Sequence, residues 1–599
     1  MCRSKQILKD VFGYSDFREG QQDIITAIDN DSDVLAIMPT GAGKSMCYQI
    51  AGLMRSGLTV VVTPLIALMK DQVDALQMNG VAAEAINSSI TQDKKRDIWH
   101  KLNQGEMKLL YISPEKLLSG GFLDVIGDFN PSLFVVDEAH CVAQWGHDFR
   151  PDYRRLNILK ENFPTLPIAA FTATADERTR REINHHLADG KAKTFIQGFD
   201  RPNINIDVRA KDNGRKQLLD FLHDHTGQQG IIYCLSRKSV DQTSALLVKE
   251  GYNALPFHAG MGDAVKYHNQ ERFLTEPDAI MVATIAFGMG IDKPDVRFVF
   301  HMDLPNSLEA YYQEIGRAGR DGEPAKAVLL YGIDSLINRR FMIANSPTSD
   351  EKKASDYQKL NALLTFCEAA TCRRKYLLSY FSEIKNEDCN NCDVCITPPN
   401  VYDGTAHSKL ALETIKATNE FYGQSHIVEI LVGSKAEKIT KKGHDNLSVH
   451  GQGGDISKSE WKTIIRQMMA ADIIRATIEH NSLKMTPKGQ AVLEGSEKVQ
   501  FVKATRKTGA KATAAKQPLN MGDQDISLYN LLKKIRLEIA QEIGRPAFVI
   551  FHDKALQEIA RSKPKNKREF LTINGVGETK FEQYGEIFLE AIASFDGPE

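Results

Sequence analysis

The feature that most constrains this chain is Met38-Pro-Thr-Gly-Ala-Gly-Lys-Ser45. An apolar run, Val34 to Ile37, precedes it and reads as a buried strand, and an apolar, helix-compatible segment follows. Strand, Gly-rich loop and helix in that order make a phosphate cradle. Glycine lets backbone N–H groups close around phosphate oxygens, and the helix N-terminus adds partial positive charge. Met38, Pro39, Thr40, Gly41, Ala42 and Gly43 would line the cradle, Lys44 would reach the β- and γ-phosphates of ATP, and the Ser45 hydroxyl would ligate Mg²⁺. The full signature asks for glycine where Met38 stands, so a plain Gly-rich turn before a helix is the competing reading.

A second element weighs against that turn. Leu133-Phe-Val-Val136 is another buried-strand run, and Asp137-Glu138-Ala139-His140 follows at once. Acids at the end of an apolar strand are costly unless something there needs charge. Asp137 would hold Mg²⁺, and Glu138 would orient and activate an attacking water. Alone, the acidic box could be a helix N-cap. Together the two elements point to a nucleoside-triphosphate hydrolase.

More strands share the pattern. Leu58–Val62 ends at Thr63-Pro64, Leu109–Ile112 at Ser113-Pro-Glu115, and Ile168–Phe171 at Thr172-Ala-Thr174. Alternation with helical segments predicts a parallel α/β sheet with its loops at the strand C-termini. A second such series is expected from about residue 215, with strands Gly230–Cys234, Ala279–Ala283 and Arg297–His301. It leads to Gln313-Glu-Ile-Gly-Arg-Ala-Gly-Arg-Asp321, where Arg317 and Arg320 would share one face of a helical turn. Two arginines in a lobe with no phosphate loop of its own read as fingers for a phosphate held by the first lobe. The alternative is a solvated face. Gln144–Tyr153 packs Trp145, His147, Phe149 and Arg150 beside Glu138, as a nucleic-acid sensor or as packed core.

The 599 residues suggest about four domains. Net charge is −2, so nucleic-acid contacts must come from local patches. The polar start and the lack of an 18-residue apolar run predict a soluble, cytoplasmic protein with no membrane partner. Cys389, Cys392 and Cys395, with Cys372 or Cys367 upstream, suit tetrahedral thiolate ligation of Zn²⁺; an iron–sulfur cluster is the other candidate. Four protein ligands would make the site structural. Arg373, Arg374 and Lys375 could touch phosphates or form a basic helix face. Residues 498–522 read as a flexible basic linker. Asn574-Gly-Val-Gly577 could present N–H groups to phosphate or simply turn between helices.

The Gly-x-Gly-Lys-Ser, Asp-Glu-Ala-His, Thr-Ala-Thr and Gln-x-x-Gly-Arg-x-Gly-Arg stretches, in that order across two lobes, resemble a superfamily 2 helicase motor. Phe12–Gln22, the Trp145 loop and the chain beyond residue 340 are similar to the RecQ family of DNA helicases. The resemblance covers essentially the whole chain. It implies an α/β fold of two RecA-like parallel-sheet lobes (1–200 and 201–340), a zinc-binding helical subdomain (341–400), a winged helix (401–497), the linker and a small helical HRDC domain (523–599). It implies that Tyr14, Arg18 and Gln21 contact adenine, that residues 145–154 couple single-stranded DNA to hydrolysis, and that Arg320 is the finger with Arg317 and Gln313 beside it. It selects Cys372 over Cys367 as the fourth ligand. The implied activity is ATP-dependent, 3′→5′ unwinding of duplex DNA in repair and recombination. Duplex would bind near Ile427–Ser434 and Lys458–Arg466. A single-stranded DNA-binding protein and recombination factors are implied partners, with association to the nucleoid.

Overall fold

The computed structural model describes residues 2–64, 66–87, 90–143, 150–287, 293–477, 482–502, 523–543 and 545–595. Seven strands build the first lobe: β1 (Val34–Ile37), β2 (Leu58–Val62), β3 (Ala83–Ile86), β4 (Leu109–Ile112), β5 (Pro131–Val136), β6 (Ile168–Thr172) and β7 (Lys193–Ile196). They pair in the order β3-β4-β2-β5-β6-β1-β7, and every pairing is parallel. Runs such as Leu58-Thr-Val-Val-Val62 are buried along their whole length. A parallel sheet covered by helices on both faces demands such runs, because neither face meets water.

Six strands build the second lobe: β8 (Ile204–Ala210), β9 (Gly230–Tyr233), β10 (Ala254–Phe257), β11 (Ile280–Ala283), β12 (Phe298–His301) and β13 (Ala325–Tyr331). Their order is β10-β11-β9-β12-β13-β8, again parallel throughout. The second series therefore starts at Ile204, ahead of the expected 215. β8 alternates polar Asn205 and Asp207 with its apolar residues, as an edge strand does, and that hid it from a search for apolar runs.

Helices Ile333–Ala344 and Asp350–Glu368 lead to helix Arg373–Tyr380 and the cysteine cluster. A small α+β unit follows. Its helix Lys458–Ala470 opens on a capping box between Ser457 and Glu460 and buries Trp461, whose Nε1 donates to the Gly453 carbonyl at 2.8 Å. The turn Gly451-Gln-Gly-Gly454 lies under that indole: a Cβ on Gly453 would stand 2.5 Å from it. Strands β14 (Val401–Asp403) and β17 (Gln500–Val502) pair antiparallel, as do β15 (Ile474–Ala476) and β16 (Leu483–Met485). The basic linker from Lys503 on falls outside the described residues. The C-terminal helical domain has its own core around Leu528, Phe551, Phe570 and Phe588. Among the described residues no helix is long and apolar enough to cross a membrane.

Candidate nucleotide site

Parallel sheets deliver the loops after β1, β5 and β6 to one edge, the place where open α/β sheets bind ligands. After β1 the chain turns through Gly41 (φ +83°) and Gly43 (φ +84°), left-handed conformations that disfavour a side chain, and enters helix Lys44–Met54. No side chain caps that helix, so its first N–H groups face the loop. Lys44 Nζ donates to the Met38 carbonyl at 3.2 Å. Gln21 Nε2 donates to the carbonyls of Ala42 and Gly43 at 3.1 and 3.2 Å, and the Arg18 guanidinium donates to that of Gly41. Gln21 and Arg18 thus brace the loop as well as lining the space beside it.

Asp137 is buried, and its carboxyl is pushed up to about 7, first by burial and then by the charge of Glu138. Glu138 sits in the left-handed region at φ 50° and donates its backbone N–H to Asp137 Oδ1 at 2.9 Å. Glu138 Oε2 lies 3.3 Å from His140 Nδ1, which is 2.9 Å from Thr172 Oγ1. Thr172 Oγ1 donates to the Thr174 carbonyl at 3.2 Å, and Thr174 Oγ1 accepts from Gln313 Nε2 at 2.9 Å. A polar chain therefore runs from the acidic box through Thr-Ala-Thr to the second lobe.

Helix Leu308–Ile315 stops short of the two arginines, so Arg317 and Arg320 stand on a turn and not on a helical face. Both line one cavity of about 570 Å³ with Thr40, Lys44, Ser45, Asp137 and Glu138. The lobes meet tightly there: a Cβ on Gly316 would lie 2.4 Å from Thr40 Oγ1. Sequence reading missed Arg201. Its Nη1 donates to the Thr40 and Gly316 carbonyls at 2.6 and 3.3 Å, and its Nη2 to Ala318 and Gly319 at 3.0 and 2.9 Å. Burial, with Arg320 and Arg18 adding to it, lowers this guanidinium to about 10 against the pull of Tyr312. Nothing in Asp200-Arg-Pro marks such a role.

The C-terminal helical domain forms a third wall that the sequence did not foretell. Gly575 N donates to the Gly13 carbonyl at 2.8 Å, Ser15 Oγ to Asn574 Oδ1 at 3.2 Å, and Arg545 pairs with Asp74. The Gly575 N–H of the expected phosphate turn is therefore spent on the first lobe. Lys580, enclosed in this wall and lining the cavity, is lowered to about 8 by burial. Tyr14 lines the same space and lies 3.9 Å from where a Gly575 Cβ would stand.

Cys372, Cys389, Cys392 and Cys395 bring their sulfurs within 4.8 Å of one another. The Cys389–Cys395 and Cys392–Cys395 separations are 3.8 and 3.4 Å, against about 3.8 Å for a tetrahedron of 2.3 Å Zn–S bonds. The four residues fit zinc. Cys367 is buried in helix Asp350–Glu368, outside the cluster. Neither reading of the neighbouring basic run holds for its two arginines. Arg373 pairs with Asp393 at 3.1 Å and Arg374 with Asp200 at 2.8 Å, both buried. Trp145, His147 and Phe149 lie outside the described residues; Arg150 places Nη1 3.5 Å from the Pro64 carbonyl.

Five family models match the chain: a DEAD/DEAH box helicase over 18–183, a helicase conserved C-terminal domain over 213–322, a RecQ zinc-binding module over 335–396, an RQC domain over 398–510 and an HRDC domain over 525–592. The chain is 41% identical to the ATP-dependent DNA helicase RecQ of Haemophilus influenzae, over 98% of this chain and 95% of that one. It is 37% identical to the ATP-dependent DNA helicase RecQ of Bacillus subtilis over 99% of both. It is 33% identical to the RecQ-like DNA helicase BLM of Xenopus laevis, over 99% of this chain and 46% of that one. With a phosphate loop, an acidic box and second-lobe arginines around one cavity, a four-cysteine cluster beyond them and this end-to-end likeness, the chain belongs to the RecQ family of helicases.

Proposed function

We propose that the chain is an ATP-dependent DNA helicase that unwinds duplex DNA with 3′→5′ polarity in repair and recombination. The observation that carries this is the single cavity shared by Lys44, Asp137 and Glu138 of one lobe and Arg317 and Arg320 of the other. Lys44 and the loop N–H groups bind the triphosphate tail. Tyr14, Arg18 and Gln21 border the base end. Ser45 and Asp137 would hold Mg²⁺, and a buried carboxyl that stays raised despite the charges of Lys44 and His140 suits a cation. That ion neutralises charge between the phosphates when bound. Glu138 orients the attacking water and takes its proton on a carboxylate oxygen, while His140 steadies the group. Arg317 and Arg320 meet the developing charge only when the lobes close, so hydrolysis and lobe motion are linked. The cysteine cluster holds a structural zinc. Single-stranded DNA binding is coupled to hydrolysis, and a single-stranded DNA-binding protein and recombination factors are the partners.

The test is ATP turnover with no nucleic acid, with single-stranded DNA and with single-stranded RNA, followed by unwinding of tailed duplexes. DNA should stimulate strongly, and Glu138→Gln should still bind ATP while turnover falls roughly 10²–10⁴-fold. Stimulation by RNA alone would point to an RNA-dependent ATPase. No turnover under any condition would leave an ATP-gated DNA-binding scaffold.

A further inference from the structure

Residues 197–203 connect β7 to β8 and cross the seam between the lobes. The cysteine module fixes this strap from one side. Phe199 stacks on Phe381 at 4.7 Å between centroids, and its N–H donates to Glu383. Asp200 pairs with Arg374 at 2.8 Å and with Lys385 at 2.7 Å. Arg374 also donates to the Arg201 carbonyl, and its Nη2 to that of Ile204 at 2.6 Å. Asn391, between two of the clustered cysteines, donates to the Pro202 carbonyl at 2.9 Å. On the other side the strap grips the arginine turn. Asn203 Nδ2 donates to the carbonyls of Gly319 and Glu323 at 2.8 and 2.9 Å.

The Arg201 side chain is where these restraints converge. It makes hydrogen bonds to four backbone carbonyls, one on the phosphate loop and three on the turn that carries Arg317 and Arg320. A Cβ built on Gly41 would be 3.4 Å from both Arg201 Nη1 and Arg320 Cγ, so the two arginines flank the same point of the loop. A planar fork with fixed donor directions sets the spacing between the two backbones it joins; a lysine, with one ammonium, cannot reproduce it.

We propose that Arg201 is the positioning residue that registers the Arg317–Arg320 turn against the phosphate loop, and that Arg374 of the cysteine module holds Arg201 in place. The module is then coupled to hydrolysis through a strap that does not itself line the cavity. This rests on the hydrolytic reading of the cavity above.

The test uses the full-length chain carrying its zinc, with zinc content and unfolding midpoint checked for each variant. Arg201→Ala should lower DNA-stimulated kcat about 10²-fold, the scale expected of a displacement near 1 Å at the reacting groups. ADP affinity, read with a fluorescent analogue, should change less than about threefold, because ADP lacks the phosphate that the arginines address. Arg201→Lys should recover little of the loss, because one ammonium cannot reproduce the fork. Arg374→Ala should give the same split between kcat and ADP affinity, about tenfold in size, and the double variant should be no worse than Arg201→Ala, since residues acting in series do not add. Asp200→Asn gives the same readout should Arg374→Ala not fold. Additive losses, or ADP affinity falling in step with kcat, would overturn the proposal. Arg320→Ala separates the two claims. If Arg320→Ala abolishes turnover and Arg201→Ala leaves kcat within about threefold of wild type, the strap is wrong and the site stands. If Arg320→Ala is active, the reading of the site fails first.

Discussion

The two lobes share one order over six strands, β7 being extra in the first, yet only one is built for nucleotide. β1 and β8 occupy matching positions in their sheets, as do β5 and β12. A lysine and an aspartate follow in each case: Lys44 and Asp137 in the first lobe, Lys211 and Asp303 in the second. In the second lobe the two satisfy each other, Lys211 Nζ to Asp303 Oδ1 at 2.5 Å, and Ser335 Oγ adds a donor at 3.0 Å. The following helix, Gly214–His223, is capped by the Asn213 side chain. In the first lobe the helix is uncapped, Lys44 leans on a loop carbonyl, and the Asp137 carboxyl is raised. The same topology brings the same charges to the same edge. What differs is where they stand: Lys44 and Asp137 line a cavity, whereas Lys211 and Asp303 are not among its lining residues. A site keeps such charges at a cavity, at a cost in stability that a ligand offsets.

That contrast can be broken most directly by removing the same group from each lobe. Asp137→Asn should cut DNA-stimulated turnover about 10³-fold, or about 4 kcal/mol in barrier. Asp303→Asn should stay within about threefold, so a comparable loss there would show that the second lobe's pair is also in use. A smaller effect is expected at the seam. Gly316→Ala would drive a methyl into Thr40 Oγ1 and hold the lobes apart, lowering kcat about tenfold with little change in ADP affinity. An unchanged kcat would mean that this contact is incidental.

The smallest effect concerns stability and has a defined sign. Folded Asp137 keeps its proton up to about 7, whereas an unfolded aspartate releases it near 4. Between those values the native state binds more protons, so the metal-free protein loses stability as pH rises through that window. Asp137→Asn should therefore unfold a few degrees higher than wild type at pH 8 without Mg²⁺, and the gap should close toward pH 4. A gap that widens on acidification would mean the carboxyl is held low instead. Asp303→Asn, which breaks an ion pair, should lower the midpoint instead.

Much of the first lobe could be read from the chain because its signals are local. Val34–Ser45 encodes strand, turn and helix within twelve neighbouring residues, and Leu133–His140 does the same for the acids. The cysteines were equally legible, since metal ligands recur at close spacing and the choice of Cys372 followed from the family pattern. β8 was not, because an edge strand carries no continuous apolar run. Nor were the roles of Arg373 and Arg374. Three basic residues in a row look solvated until Asp393 and Asp200 arrive from 20 and 174 positions away.

The sequence by itself determined the strand–loop–helix cradle, the acidic box, the order of elements and three ligands of the cluster, Cys389, Cys392 and Cys395, through local spacing and periodicity, while the fourth, Cys372, came from the family resemblance. Only the tertiary structure decided that Arg201 bridges the lobes, that Lys211 and Asp303 neutralise each other, and that the C-terminal domain closes the cavity through Gly13 and Gly575. Each of these depends on groups far apart in the chain meeting at hydrogen-bond distance. Side-chain type says that a donor or charge exists, and packing alone says what it has been given to satisfy.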